Sequence, residues 1–374
     1  MTIILFLLIL AILIFVHELG HFVSAKLFNI RVDEFAIGFP PRVFGWKKGE
    51  TQYSLNMVPL GGFVKIFGED PNDESMNGPD SKRSFVNAKK WKQIVVLLSG
   101  VFMNIVFAWL LISASFNFGL ITSVEDQFKD KAQNISVMVL SVLKDSPSDK
   151  AGLKEGDSIL SIESENILNT NAVSSSTKII SPNVSEIQKI IAESKDNIKI
   201  DYKRGNATGT VNIIATNGVV EGKKAIGISM ALVGTVKFGF FASFYEGAKL
   251  TAIETINITK GIYDFIGGAF SGKNNLLAQV TGPVGIANMV GQANSLGISF
   301  LLGFIAMISI NLAILNLIPF PALDGGRVLF VLIEVIIRRR IKPIIANSLN
   351  LIGFGLLIAL MLFITYKDIL HLFH

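Results

Sequence analysis

The 374-residue chain contains no cysteine. Disulfides are therefore excluded, and so are thiolate metal sites and cysteine nucleophiles. Charge is the second scarcity. Only 17% of residues are Asp, Glu, Lys or Arg, against about 25% in an ordinary soluble domain. With 50% hydrophobic residues and a mean hydropathy of +0.52, that deficit excludes disorder, collagen-like repeats and a charged nucleic-acid-binding face. Much of the chain must sit in lipid. The net charge of +5 then fits a bias of cytoplasmic loops, not a nucleic-acid partner. Histidine is scarce too, with four in all, so a metal site must draw on these and on Asp or Glu. No internal repeat is found, which argues against a transporter built from duplicated halves.

What is present is apolar length. A helix needs about 20 mostly apolar residues to span a bilayer, and segments 2–25, 94–118, 298–320 and 344–366 provide them. The run 328–337 is too short to span and follows a Pro/Gly-rich break. Residues 1–16 hold no Lys or Arg and no small-residue cleavage site follows, so the first segment reads as a span and not as a signal peptide. Basic residues cluster after the first span (Lys26, Arg31), before the second (Lys82, Arg83, Lys89, Lys90, Lys92) and before the fourth (Arg338, Arg339, Arg340, Lys342). These loops are expected to be cytoplasmic. The termini and residues 119–297 then face outside.

The expected architecture is a polytopic α-helical membrane protein with about four transmembrane helices and two non-helical additions. Residues 1–118 carry the first two spans, and the loop 32–68 between them alternates apolar runs with Gly and Pro, reading as β-hairpins that dip into the membrane. Residues 119–230 read as a small extracytoplasmic strand-rich domain. Its segment Ser146 to Leu160 (SPSDKAGLKEGDSIL) looks like the A-G-L-x-x-G-D-x-I-L stretch of a PDZ domain, a fold that captures peptides by strand addition. Residues 164–185 read as a flexible insertion, and 231–297 as an amphipathic linker on the membrane surface. Residues 298–374 carry the last two spans.

His17-Glu18-Leu19-Gly20-His21 is an H-E-x-x-H sequence inside the first span. On a helix, histidines at i and i+4 share a face and can share one zinc, with the glutamate placed to handle the metal-bound water. Ionisable residues inside a span are expensive and functional by default. A catalytic zinc usually takes three protein ligands. Asp324 is the candidate third, in Asn316-Leu317-Ile318-Pro319-Phe320-Pro321-Ala322-Leu323-Asp324-Gly325-Gly326-Arg327. His21 lies five residues before Lys26, and Asp324 lies ahead of the Arg338 cluster. Both fall near the cytoplasmic side. His371 and His374 have no such setting and read as interfacial.

Taken in order, H-E-x-x-H, PLGGFVKIFGE (Pro59 to Glu69), Gly100 to Asn104, the PDZ-like segment, GPVGI (Gly282 to Ile286) and N-x-x-P-x-P-x-L-D-G resemble the bacterial site-2 proteases over almost the whole chain, in the RseP/RasP-like branch. The resemblance implies an intramembrane zinc metalloendopeptidase of regulated intramembrane proteolysis in the bacterial inner membrane. It implies Zn2+ held by His17, His21 and Asp324, with Glu18 as general base. It further implies that Asn316 and Pro319 handle the substrate helix, and Asn104 the same or the packing of the spans. The implied substrates are single-span membrane proteins already cut by a site-1 protease, such as anti-sigma factors or signal-peptide remnants, with a peptide ligand for the PDZ domain and no nucleic acid. Two features depart from relatives: one PDZ domain where some carry two, and Arg327 where many have His.

Overall fold

The computed structural model describes residues 2–124, 128, 130–166, 175–180, 183–194, 197–205, 207–220, 223–270 and 281–373. The chain begins with α1 (Thr2–Leu27), β1 (Val32–Lys48), β2 (Thr51–Ile66), α2 (Asp73–Asn77) and α3 (Lys90–Phe118). A second stretch holds β3 (Leu120–Ser123), β4 (Gln133–Val142), α4 (Pro147–Lys150), β5 (Ser158–Asn166), β6 (Ser175–Ile180) and α5 (Val184–Glu193). It continues through β7 (Asn197–Arg204), β8 (Ala207–Ile214), β9 (Thr216–Val220), β10 (Lys223–Ala225) and β11 (Ile228–Val236). Five helices follow: α6 (Phe240–Phe270), α7 (Pro283–Ser295), α8 (Ile298–Leu317), α9 (Asp324–Ile337) and α10 (Pro343–Phe373). Among the described residues α1, α3, α8 and α10 are long and apolar enough to cross a membrane.

The chain divides into two compact units. One comprises Met1–Ala114, Phe244–Asn294 and Leu301–His374. Because α1 is apolar all round, its packing face is chosen by residue size. Leu13, His17, Gly20, His21, Ser24 and Ala25 are buried on one side, and a Cβ on Gly20 would overlap the Ser99 carbonyl of α3. Small residues let membrane helices approach this closely. On α3 the facing stripe is Gly100, Asn104 and Ala108, and Ser309 of α8 donates to the Asn104 carbonyl at 2.8 Å.

β1 and β2 form the antiparallel sheet between these helices. The start of β1 is central: Phe35 is paired with Tyr53 on one side and Val64 on the other. The second half of β2 is therefore an edge strand. Beneath it Val32, Phe35, Val64, Ile66, Val96, Leu97 and Val331 form one apolar core, which joins the sheet to α3 and α9. At the opposite corner Glu50 receives Arg83 at 2.5 and 2.7 Å and Lys26 at 2.7 Å. The Arg83 hydrogen bond holds its carboxyl down at about 2. An unfolded Glu titrates near about 4.3, so this contribution to stability is present above that pH and is lost as pH falls towards 2. Glu50→Gln is expected to lower Tm in detergent by about 2 °C at pH 7, with the difference vanishing between about pH 4.3 and 2.

The other unit comprises Ser115–Ser243 and Ser295–Phe300. Its main sheet runs β3-β11-β4-β5-β7-β8, with β6 also paired to β5. Val137, Val139, Leu153, Ile162, Ile187, Ile198 and Ile200 fill its core. In the A-G-L-x-x-G-D segment, Gly152 and Gly156 take φ of +87° and +85°, which L side chains resist. Asp157 is fully buried and held by Arg204 at 2.7 and 2.8 Å and by the Lys154 amide at 2.8 Å. β11 pairs with β4 from Ile228 onward but with β3 only over Val233–Val236. One edge of its first residues has no strand partner among the described residues.

Two sequence expectations shift. The domain edge at residue 230 cuts through β11, which runs to Val236; its alternation is masked by apolar residues on both faces. Part of the expected flexible insertion is ordered, as β6 pairs with β5 from Ser175 to Ile180, whereas residues 167–174 lie outside the described ones. So do residues 271–280 of the expected linker and the expected interfacial His374.

Candidate active site

α1 carries His17 and His21 one turn apart on its buried face. Asp324 reaches the same point from the first turn of α9. Its Oδ2 lies 2.9 Å from His17 Nε2 and 3.4 Å from His21 Nε2, and the two imidazole nitrogens are 3.2 Å apart. Ligands held about 2.0–2.1 Å from a tetrahedral zinc lie roughly 3.3–3.4 Å from one another. Two of the three separations fall within about 0.2 Å of that edge and the third is shorter by about half an ångström, so the donor set fits zinc and leaves a fourth vertex open. Both histidines are buried, and Asp324 is 19% exposed at its side chain.

The outer contacts select the right ring nitrogens. His21 Nδ1 donates to the Val96 carbonyl at 2.8 Å, which keeps its Nε2 free as a ligand. His17 Nδ1 faces the Asn104 amide at 3.3 Å. Asn104 is fully buried and its Oδ1 has no hydrogen-bond partner. With the amide turned the other way, Asn104 Oδ1 would accept from a protonated His17 Nδ1, leaving Nε2 free to hold a metal.

Glycine makes the space. A Cβ on Gly100 would lie 2.5 Å from His21 Nε2 and 2.8 Å from His17 Nε2. Cβ atoms on Gly325 and Gly326 would overlap the carbonyls of Leu317 and Phe320, so the turn after Asp324 is seated hard against the end of α8. Glu18 lies beside the histidines, its Oε2 accepting from the Val64 amide of the β2 edge at 3.0 Å.

Of the residues singled out in the sequence, the fold brings together His17, His21, Asp324, Glu18 and Asn104. Asn316 and Pro319 flank Leu317 and Ile318, whose carbonyls lie against Gly325 next to Asp324. Asn316 lines an apolar cavity of about 1360 Å³ between α6, α8 and α10, and Pro319 is exposed. The Val96 carbonyl and Val64 amide carry no sequence signal, being backbone groups. Gly100 was visible only as part of a motif.

A bundle of apolar helices with two histidines and an aspartate converging inside it defines a multi-pass membrane metallopeptidase. A sequence model of Peptidase family M50 matches residues 5–360. The chain belongs to that family, the site-2 proteases, and is a zinc metalloprotease. It is 38% identical over 361 residues to a Clostridium perfringens protein whose name reads "Putative zinc metalloprotease", covering 96% of this chain and 95% of that one. It is 29% identical over 454 residues to the regulator of sigma-W protease RasP of Bacillus subtilis, covering 100% of this chain and 99% of RasP.

Proposed function

We propose that this chain is an intramembrane endopeptidase that cuts the transmembrane segments of single-span proteins, with His17, His21 and Asp324 holding the zinc and Glu18 as general base. The convergence of three ligand atoms within 4.8 Å of one another, two of them on a helix long and apolar enough to cross a bilayer, carries this reading. Bound zinc supplies a Lewis acid that polarises the scissile carbonyl and lowers the pKa of water. Glu18 takes the proton of the attacking water and passes it to the leaving amine. The Val96 carbonyl and Asn104 keep the imidazoles oriented, so the chain spends no reorganisation at the moment of reaction.

A transmembrane helix satisfies its backbone internally and must unwind before a peptide bond can be attacked. The outer edge of β2, beside Glu18, offers backbone partners to an unwound segment by strand addition. The free edge of β11 and the helix α5 support a PDZ-type role for the strand-rich unit, on the extracytoplasmic side with both termini. α6, read from the sequence as a surface linker, instead runs beside α8 and α10, where its residues 261–268 line a shared apolar cavity. The name of RasP, a regulator of sigma-W, favours anti-sigma factors as substrates, trimmed first by a site-1 protease in the inner membrane; signal-peptide remnants are the second class.

The test is cleavage of a single-span substrate by the purified chain. Chelation is expected to abolish the cut and added zinc to restore it. Cleavage that survives complete zinc removal overturns the proposal.

A further inference from the structure

The contacts of α9 extend beyond the metal. Its inward face carries Asp324, Arg327, Val331 and Glu334, at intervals of three and four residues. Asp324 meets the histidines. Arg327 forms an ion pair with Glu69, which lies just past the end of β2. Val331 enters the core beneath the sheet, and Glu334 pairs with Lys90 at the start of α3. One helix therefore ties the metal ligand, the exit of the edge strand and the second span together.

The Glu69 end is equally fixed. The Glu69 amide closes a turn onto the Ile66 carbonyl at 3.2 Å. Phe67 is pinned on both sides, donating to the Arg31 carbonyl at 2.9 Å and accepting from the Phe85 amide at 2.8 Å. Arg327 cannot drift either, because Gly325 and Gly326 seat its turn against the carbonyls of Leu317 and Phe320. An exposed ion pair contributes little, but the side chains here are only 32% and 20% exposed and each joins a fixed backbone to the other.

We propose that Arg327 is a positioning residue: through Glu69 it holds the exit of the β2 edge strand in place against the helix that carries Asp324, one helical turn beyond that residue. The inference rests on the intramembrane-protease reading above. It adds that the strand receiving the substrate is set by an ion pair to the helix bearing a metal ligand. A displacement of about 1 Å in the strand would misplace the scissile bond and reduce turnover by up to about 10²-fold, while leaving the zinc ligands untouched.

The experiment compares Arg327→Gln, Glu69→Gln, the double Gln variant and the charge reversal Arg327→Glu with Glu69→Arg, using a single-span peptide in liposomes. Each single substitution is expected to lower kcat about 10- to 100-fold with KM and zinc content little changed. The double Gln variant is expected to be no worse than either single one. The reversal is expected to restore most of the loss. Amide exchange at residues 62–66 is expected to quicken in both single variants, a readout independent of activity. Additive losses, a silent Glu69→Gln, loss of zinc, unchanged exchange or failure of the reversal each overturn the proposal. If exchange responds as stated but the unaltered chain cuts no transmembrane peptide, the protease reading fails and the pairing stands.

Discussion

Glu18→Gln is expected to keep a full complement of zinc and to lose about 10²–10⁴-fold in cleavage. The amide matches the carboxylate in shape, and its oxygen can still accept from the Val64 amide, the bond that Oε2 makes at 3.0 Å. Neither the fold nor the metal site then has reason to change, since the converging ligand atoms belong to His17, His21 and Asp324. What an amide cannot do is take a proton from water. Zinc per chain, measured by mass spectrometry of the metal, and turnover of a transmembrane peptide check both halves. Full cleavage in this variant removes Glu18 from the mechanism. Loss of zinc would instead make it part of the metal site.

Gly100→Ala is expected to weaken zinc binding by 10²-fold or more without removing any ligand. The added methyl would sit 2.5 Å from His21 Nε2 and 2.7 Å from His17 Cε1, well inside the roughly 3.5–4.0 Å at which non-bonded heavy atoms pack comfortably. The imidazoles must turn away, and outer-shell disturbances alone commonly cost 10–100-fold in metal affinity. Helix propensity works in the opposite direction, favouring Ala over Gly by about 1 kcal/mol. The metal-free protein is therefore expected to unfold near its usual temperature, which separates a metal defect from a folding defect. Gly355→Ala, on α10, is the control: nothing lies within 4 Å of the added atom, and zinc binding should not change. Wild-type affinity in Gly100→Ala would show that the metal does not sit between these rings.

The sequence exposes the features that depend on composition or on short spacing. Four spans stand out because each needs about 20 apolar residues, and His17 and His21 because one helical turn separates them. Gly152 and Gly156 announce their turn because few other residues tolerate those angles. The features that escape are long-range or made of backbone. Val96 offers a carbonyl and Val64 an amide, and no side chain marks either role. Glu69 and Arg327 meet only after the sheet and α9 have packed on a shared core. Asn104 was read as a substrate or packing residue, because nothing local to α3 says that His17 faces it. β11 runs past residue 230 because its end looks as apolar as the segment that follows.

The central claim is that the cut falls inside a membrane-spanning segment at the centre formed by His17, His21 and Asp324. The most direct measurement is mass spectrometry of the fragments released from a single-span substrate in liposomes by the purified chain, its Glu18→Gln variant and its Asp324→Ala variant. A new terminus within the apolar segment, towards its cytoplasmic end, is expected from the unaltered chain alone. A cut outside that segment, or the same fragments from either variant, would contradict it.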